Sequence, residues 1–158
     1  AIGQGFVLTN PLQLAIMTSI IASNGKMIKP SILKNQNSNF KLNTKYSNEI
    51  KIIKEAMYKV VNENKGTAFK SRLENVKFAG KTGTSQVKRI SLSERESDDF
   101  RKKEQEWKNR DHALFVGYMP FDNPKFAISV VIEHGGSGAS TAAPIANQVF
   151  NYINKNNI

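Results

Sequence analysis

The sequence predicts an α/β (α+β) fold in which an antiparallel sheet of about three strands packs against helices. The prediction rests on the order of the segments, which is helix, helix, three strands and helix. Since only residues 120–124 join the last two strand segments, those strands must pair antiparallel. With 158 residues, of which 39% are hydrophobic, we expect residues 1–158 to form a single domain with one core.

The first helix is predicted over residues 10–24. Asn10 is a good N-cap, Pro11 fits the first helical position, and Gly25 can end the helix. Apolar residues cover most of its circumference, so we expect the helix to be buried on several sides. The stretch that follows, "KMIKPSIL" (26–33), is short and apolar but contains a proline, which indicates a small edge strand or an extended segment.

The second helix is predicted to begin at Ser47 or Asn48 and to end before Gly66. Its apolar residues recur near helical spacing, so we expect an amphipathic helix that lies on the surface of a core. Residues 34–46, between the two helices, are rich in Asn and Lys and predict a loop.

Three strand segments and a closing helix follow. "VKFAGKTGTSQV" (76–87) alternates like a strand, and "HALFVGYM" (112–119) and "KFAISVVIE" (125–133) are the other two strands. "HGGSG" (134–138) predicts a flexible turn. Residues 141–154 then predict a helix with a proline in its first turn.

The net charge of +10 is unevenly distributed, because most of it comes from scattered lysines in residues 1–87. Such lysines lack the Arg-rich runs and interleaved aromatic residues of a nucleic-acid site, so we expect no nucleic-acid partner. Residues 88–110 carry charges of both signs and predict a solvated flap or connection, weakly helical around residues 100–107.

No signal peptide is visible at the start of the given sequence, and no membrane-spanning helix is expected within it. "AIGQGF" at the start has neither an initiator Met nor the regions of a signal peptide, and no apolar stretch is long enough to cross a bilayer. We therefore expect an excised part of a longer protein.

The tetrapeptide Lys81, Thr82, Gly83 and Thr84 is the strongest chemical signal in the chain. On a strand, the lysine and glycine point to one face and the threonines to the other. An edge strand of this kind could pair with an extended peptide, while the lysine and the hydroxyl groups hold a carboxylate and the Thr84 amide stabilises an oxyanion. The alternative is a structural strand with a solvated lysine and a glycine that marks a bulge.

The segments around this motif resemble the penicillin-binding transpeptidases, specifically the class B, elongation-type enzymes called penicillin-binding protein 2. "GQGFVLTNPLQLA" is similar to the Gly-Gln-Gly segment and following helix of that family, with Asn10 in place of the usual Thr. "FAGKTGTSQV" matches the third conserved box, and "RDHALFVGYMP" and "FAISVVIEHGGSG" resemble the strand pair and turn after it. The resemblance implies part of a β-lactamase/transpeptidase-like fold.

The resemblance also implies a function. The parent would be a serine-type D,D-transpeptidase that cross-links peptidoglycan stem peptides in cell elongation and is acylated by β-lactams. Lys81 would organise proton transfer, Thr82 and Thr84 would hold the terminal carboxylate, the Thr84 amide would serve the oxyanion hole, and Gly83 would keep the groove open. The family works at the periplasmic face of the bacterial inner membrane, anchored by an N-terminal helix, with a membrane glycosyltransferase and scaffold proteins.

The family nucleophile is not evident in the sequence. The Ser-x-x-Lys spacing occurs at 23–26, 31–34 and 85–88, but the family places its serine on a buried helix upstream of the Gly-Gln-Gly segment. No Ser-x-Asn occurs. We therefore expect the nucleophile and its proton shuttle to lie outside this chain, which would be inactive alone.

Asp111, His112 and His134 are the remaining candidates for catalysis. The first two are neighbours at a strand start and point to opposite faces, so we do not expect them to form a triad. His134 is expected to be a turn residue. Two histidines without cysteine or clustered carboxylates predict no metal site, and no cofactor is expected.

Other functions remain open. The alternative is a non-catalytic module that binds peptides ending in D-alanine reversibly; a basic surface-binding domain and a β-lactamase or carboxypeptidase relative are disfavoured. In the family fold, strand 125–133 pairs with a strand from upstream of the nucleophile. Without that neighbour, we expect self-association through this edge or its burial by another segment.

Overall fold

The computed structural model describes residues 7–27, 30–33, 44–87 and 106–158. These residues form three α-helices and one three-stranded sheet. The helices are α1 (Pro11–Ala22), α2 (Ser47–Asn62) and α3 (Ala143–Lys155), and the strands are β1 (Ala79–Ser85), β2 (His112–Met119) and β3 (Phe126–Ile132).

The sheet has the order β1-β2-β3, and both pairs of neighbours are antiparallel. In the register, Lys81 lies opposite Val116, and Val116 lies opposite Ser129 on β3. The predicted antiparallel sheet packed against helices is therefore confirmed. Within the described residues, β1 and β3 are the two edges of the sheet.

One face of the sheet packs against α3 and holds the larger part of the core. Phe78 sits in its middle, with its ring centroid 5.2 Å from that of Phe150 on α3 and 6.4 Å from that of Phe115 on β2. All three rings are fully or almost fully buried. Tilted and edge-to-face aromatic pairs of this kind add to the stabilisation from buried area.

The other face packs against α1 and α2 around a smaller cluster that contains Tyr118 and Met57. Lys54 on α2 joins the two helices, since its ammonium donates hydrogen bonds to the Ala22 carbonyl (3.1 Å) and to Asn24 Oδ1 (2.9 Å). Burial lowers the pKa of Lys54, and the nearby Glu55 opposes this change. Burial also raises the pKa of the Tyr118 phenol, and Glu55 adds to that increase.

The expectation that α1 is buried on several sides was wrong for the described chain. Only Thr18 and Ala22 are buried, while Leu12 and Met17 are 58% and 45% exposed. The helix packs against the sheet and α2 on one side, and no other described element covers the rest of its apolar surface. The prediction for α2 is confirmed, because Met57 and Val61 are buried and the opposite side is exposed.

The connections between these elements are irregular. Residues 26–27 and 30–33 contain a single bridge residue, Lys26, and no strand, while residues 28–29 lie outside the described residues. Thr44–Tyr46, at the end of the predicted loop, and Trp107–Asn109, at the end of the charged stretch, form short 3₁₀ turns; residues 34–43 and 88–105 lie outside the described residues. Instead of a flexible turn running into a helix at residue 141, Gly138–Ala142 form a π-helical turn that leads into α3.

Candidate functional site

The Lys-Thr-Gly-Thr motif lies in the middle of β1, as predicted. Because side chains alternate along a strand, Lys81, Gly83 and Ser85 share a face with their partners on β2, while Thr82 and Thr84 belong to the opposite face. Within the described part of the chain, β1 pairs only with β2, so its other edge carries no neighbouring strand. An extended peptide could add to an edge of this kind.

An open groove of about 580 Å³ runs between β1 and the start of α1. It is larger than three other clefts in the described part of the chain, and among the described residues that line it, Lys81 and a histidine are the basic ones. No carboxylate of the described residues lines it, so this part of the groove is complementary to an anion. Its lining residues are Val7, Leu8, Thr9, Asn10, Pro11, Leu14, Lys81, Thr82, Gly83, Thr84, Ser85, His112, Leu114 and Val131.

Lys81 is exposed, and its ammonium donates a hydrogen bond of 2.6 Å to the carbonyl of Thr82. This single backbone contact leaves ammonium protons free for a ligand, since an ammonium has three donors. Lys81 can therefore supply positive charge or donate to a reacting group without losing a structural salt bridge.

Thr82 is fixed by a residue that the sequence did not point to. Its hydroxyl lies 2.8 Å from the hydroxyl of Thr67, in the connection between α2 and β1. The pair tethers β1 to this connection on the side of the strand away from Lys81. Thr84 also lines the groove and is exposed.

Other parts of the chain approach Gly83 closely from both faces of the sheet. On the groove face, a Cβ at Gly83 would lie 3.3 Å from the Cβ of Leu114. On the other face, the π-helical turn abuts the strand at Gly138, where a Cβ would lie 2.9 Å from the Gly83 nitrogen and would also clash with the carbonyl oxygens of Gly83 and Leu114. Glycine at both positions lets the turn support the motif directly from behind.

The histidines do not form a triad with Asp111. Asp111 Oδ1 accepts from the Val87 amide (3.4 Å), whereas His112 Nδ1 accepts from the His134 amide (2.9 Å). His134 adopts a positive φ of 55°, which fits the predicted turn residue. His112, in contrast, lines the groove, a position that sequence reasoning missed because it depends on the pairing of β2 with β1.

The serines of the Ser-x-x-Lys spacings occupy different places. Ser23 follows α1, and its hydroxyl contacts the carbonyls of Ile20 and Lys26, while Ser31 lies in the exposed stretch 30–33. Ser85 ends β1 and lines the groove opposite His112. The same spacing also occurs at 38–41, which lies outside the described residues.

The described residues contain no cluster of three or more His, Cys, Asp or Glu side chains that could hold a metal ion. None of the described helices has the length and hydropathy needed to cross a membrane.

Comparison with known proteins agrees with this arrangement. Residues 1–151 match the family model of the penicillin-binding protein transpeptidase domain. The chain is 36% identical to the peptidoglycan D,D-transpeptidase MrdA of Haemophilus influenzae and 35% identical to that of Acinetobacter baumannii. Each alignment covers 96% of this chain but only 24% and 23% of those relatives, so the chain spans about a quarter of their length.

Solved structures give the same result. The complex of penicillin-binding protein PBP2 with MreC from Helicobacter pylori superimposes with a TM-score of 0.79 at 30% identity, over 97% of this chain and 26% of that one. PBP2 of Pseudomonas aeruginosa in complex with WCK 5153 superimposes with a TM-score of 0.73 at 31% identity, over 95% of this chain and 31% of that one. The motif, the fold and both sets of relatives lead to one conclusion: this chain belongs to the penicillin-binding protein transpeptidase family.

Proposed function

We propose that this chain is part of a serine-type peptidoglycan D,D-transpeptidase and supplies the substrate-binding strand of its active site. The observation that carries the proposal is the position of the Lys-Thr-Gly-Thr motif on a strand that is an edge among the described residues, beside an open groove to which those residues contribute a lysine and no carboxylate. A groove of this kind suits a peptide that ends in D-alanine, because such a peptide is extended and carries a terminal carboxylate.

In this proposal, each motif residue has a separate role. Lys81 takes part in the proton-transfer network, the Thr84 hydroxyl holds the terminal carboxylate together with Thr82, and the Thr84 amide lies in the oxyanion hole. Gly83 keeps the groove floor open beside Leu114. Thr82 contributes to holding the carboxylate while its hydroxyl is oriented by Thr67.

The proposal also covers the partners and the location of the parent protein. A related PBP2 from Helicobacter pylori is found in a complex with MreC, which supports a scaffold protein as a partner of the parent protein. We extend the proposal to a membrane glycosyltransferase partner, to acylation by β-lactams, and to a location at the periplasmic face of the bacterial inner membrane.

The test is incubation of the full-length protein with a fluorescent penicillin, followed by intact-mass measurement of the covalent adduct. We expect the wild type to be acylated and Lys81→Ala to react about a hundredfold or more slowly, as is typical when a proton-transfer group is lost. Lys70→Ala is the matched control, because Lys70 is also exposed but does not line the groove, and it should react like the wild type.

The same incubation with the isolated 158-residue chain distinguishes the remaining possibilities. We expect it to form no adduct, since the nucleophile is proposed to lie elsewhere in the parent. Acylation of this chain alone would mean that one of its own serines is the nucleophile, with Ser85 the first candidate because it lines the groove. Reversible peptide binding by a full-length protein that never forms an adduct would instead support a non-catalytic binding module.

A further inference from the structure

His112 lies in the groove but has no role in the function proposed above. It is the first residue of β2 and lies opposite Ser85, the last residue of β1, so its side chain is on the same face as Lys81. Four residues of extended strand separate Lys81 from Ser85, which corresponds to about 13 Å along the groove. His112 is therefore at the end of the groove nearest Thr84 and farthest from the lysine.

A backbone hydrogen bond determines which nitrogen of the His112 ring carries the proton. The His134 amide donates to His112 Nδ1 at 2.9 Å, so this nitrogen acts as an acceptor and bears no hydrogen. The neutral ring then carries its hydrogen on Nε2. No described residue forms a hydrogen bond with this Nε2, which leaves it available as a donor to a ligand.

The turn that holds His112 is itself firmly placed. His134 Nδ1 lies 3.0 Å from the Arg110 carbonyl, and the His134 ring packs 4.5 Å from the ring of Trp107 and 4.9 Å from that of His112. The Gly136 amide also donates to the Asp111 carbonyl at 2.8 Å. These contacts join the turn to the start of β2, and the backbone bond from Gly136 keeps the His134 amide within reach of His112 Nδ1.

We propose that His112 Nε2–H donates a hydrogen bond to the terminal carboxylate of the bound peptide and so helps the site to select a free D-alanine end. This inference rests on the proposed function, which places the carboxylate beside Thr84 at the same end of the groove. His112 supplies an N–H donor there, while Lys81 supplies the positive charge farther along. A hydrogen bond to a charged group contributes more to binding than one between neutral groups.

The test compares two probes: an acetylated peptide that ends in D-Ala-D-Ala, and the same peptide with a C-terminal carboxamide. Their affinities for the full-length protein are measured by ligand-observed NMR, which suits weak binding to a large protein. We expect the wild type to prefer the carboxylate, and His112→Leu to weaken its binding by about tenfold or more, the usual effect of losing a hydrogen bond to a charged group. Binding of the carboxamide should change much less.

Two further variants separate a direct contact from a structural effect. His112→Gln keeps an N–H donor near the position of Nε2, and it should retain most of the preference for the carboxylate. His134→Gly removes the neighbouring ring but keeps the amide that holds His112, and glycine accepts the positive φ at this position. It should therefore select the carboxylate like the wild type.

The inference is overturned if His112→Leu weakens the binding of both peptides equally, or if the wild type binds the two peptides with the same affinity. It is also overturned if His112→Gln loses as much of the preference for the carboxylate as His112→Leu does. Thermal unfolding of each variant shows whether a loss of binding comes from a loss of folding. The fluorescent-penicillin adduct judges the proposed function separately. A wild type that selects the carboxylate through His112 but forms no adduct would support this inference and refute the transpeptidase.

Discussion

Gly138 and Gly83 meet behind the groove, where the π-helical turn touches the middle of β1. A Cβ at Gly138 would clash with the carbonyl oxygens of Gly83 and Leu114, and these backbone atoms cannot rotate away as a flexible side chain could. Since interiors are packed as densely as crystals, any added atom here must move β1 or the turn. The position of the Lys-Thr-Gly-Thr motif therefore depends on a glycine far away in the sequence.

Gly138→Ala is expected to lower the free energy of unfolding by about 3 kcal/mol, because the added methyl group overpacks a backbone contact. Gly136→Ala is the matched control in the same turn. Gly136 has a positive φ of 79° but nothing within 4 Å of an added Cβ, so this substitution introduces backbone strain without a clash. It should lower the free energy of unfolding by about 1 kcal/mol, the usual effect of placing a non-glycine residue in the left-handed backbone region.

Urea denaturation of the two variants and the wild type measures these effects. A smaller loss for Gly138→Ala than for Gly136→Ala would show that the turn does not press on β1 as described. Gly138→Ala should also disturb the groove more than Gly136→Ala does, since moving β1 moves Lys81 away from its position beside α1.

At the residue level, the sequence predicted the motif but not its supports. Lys81 to Thr84 were found because four consecutive residues form a recognisable box. Thr67 and Gly138 were missed because their partners on β1 lie 15 and 55 residues away, and a sequence carries no local signal for such contacts. His112 was considered only as a triad member, since its place in the groove follows from strand register.

Helices and strands were predicted most reliably where caps and periodicity agree. The sequence predicted helices over 10–24 and from residue 47, and the structure has α1 over Pro11–Ala22 and α2 from Ser47. The strand predicted over 112–119 coincides with β2. The π-helical turn was missed because "HGGSG" is typical of a flexible turn, and the packing of Gly138 on the sheet is what makes a wider helical turn possible there.

Helix α1 begins at the groove and is held by a capping box. Asn10 Oδ1 accepts from the Gln13 amide at 2.9 Å, and the Asn10 amide donates to Gln13 Oε1 at 3.0 Å. These two bonds satisfy backbone and side-chain groups at the helix start, which also lines the groove. The start of α1 is thus positioned by its own sequence.

Asn10→Ala is expected to lower the free energy of unfolding by about 1 kcal/mol, the usual effect of removing an N-cap side chain. Asn10→Thr is the matched comparison, because threonine also caps helices and is the residue that the family usually has here. It should stay within a few tenths of a kcal/mol of the wild type. Urea denaturation distinguishes the two variants. If both lost the same free energy of unfolding, the stabilisation would come from the size of the Asn10 side chain rather than from its capping hydrogen bond.

For the whole molecule, the described chain leaves much apolar surface uncovered. Val7 and Leu8 are 91% and 92% exposed, and Leu12 and Met17 on α1 are also largely exposed. These residues lie on α1 or immediately before it. The almost wholly apolar helix is therefore buried only on the side that faces the sheet and α2. Sequence periodicity reveals that a helix is apolar all round, but it cannot reveal what covers each side.

The outer edge of β3 is a second feature of the described chain that lacks a partner. Both faces of this strand are covered, one by α1 and the other by α3, and residues 127–132 are buried or half-buried rather than fully exposed. Among the described residues, however, no strand pairs with the outer edge of β3. The unpaired amides and carbonyls of such an edge favour pairing with another copy of the chain.

We expect the 158-residue chain to self-associate in solution as its concentration rises, which sedimentation velocity measures directly. Hydrogen exchange read by mass spectrometry locates the contact: amides of Phe126–Ile132 should become protected with increasing concentration, because pairing engages their outward N–H groups. Ala79–Ser85 is the internal control, since β1 is also an edge but has a groove beside it. A chain that stays monomeric, or that gains protection only at β1, would contradict pairing through β3. The exposed side of α1 would then remain as the surface that needs a partner.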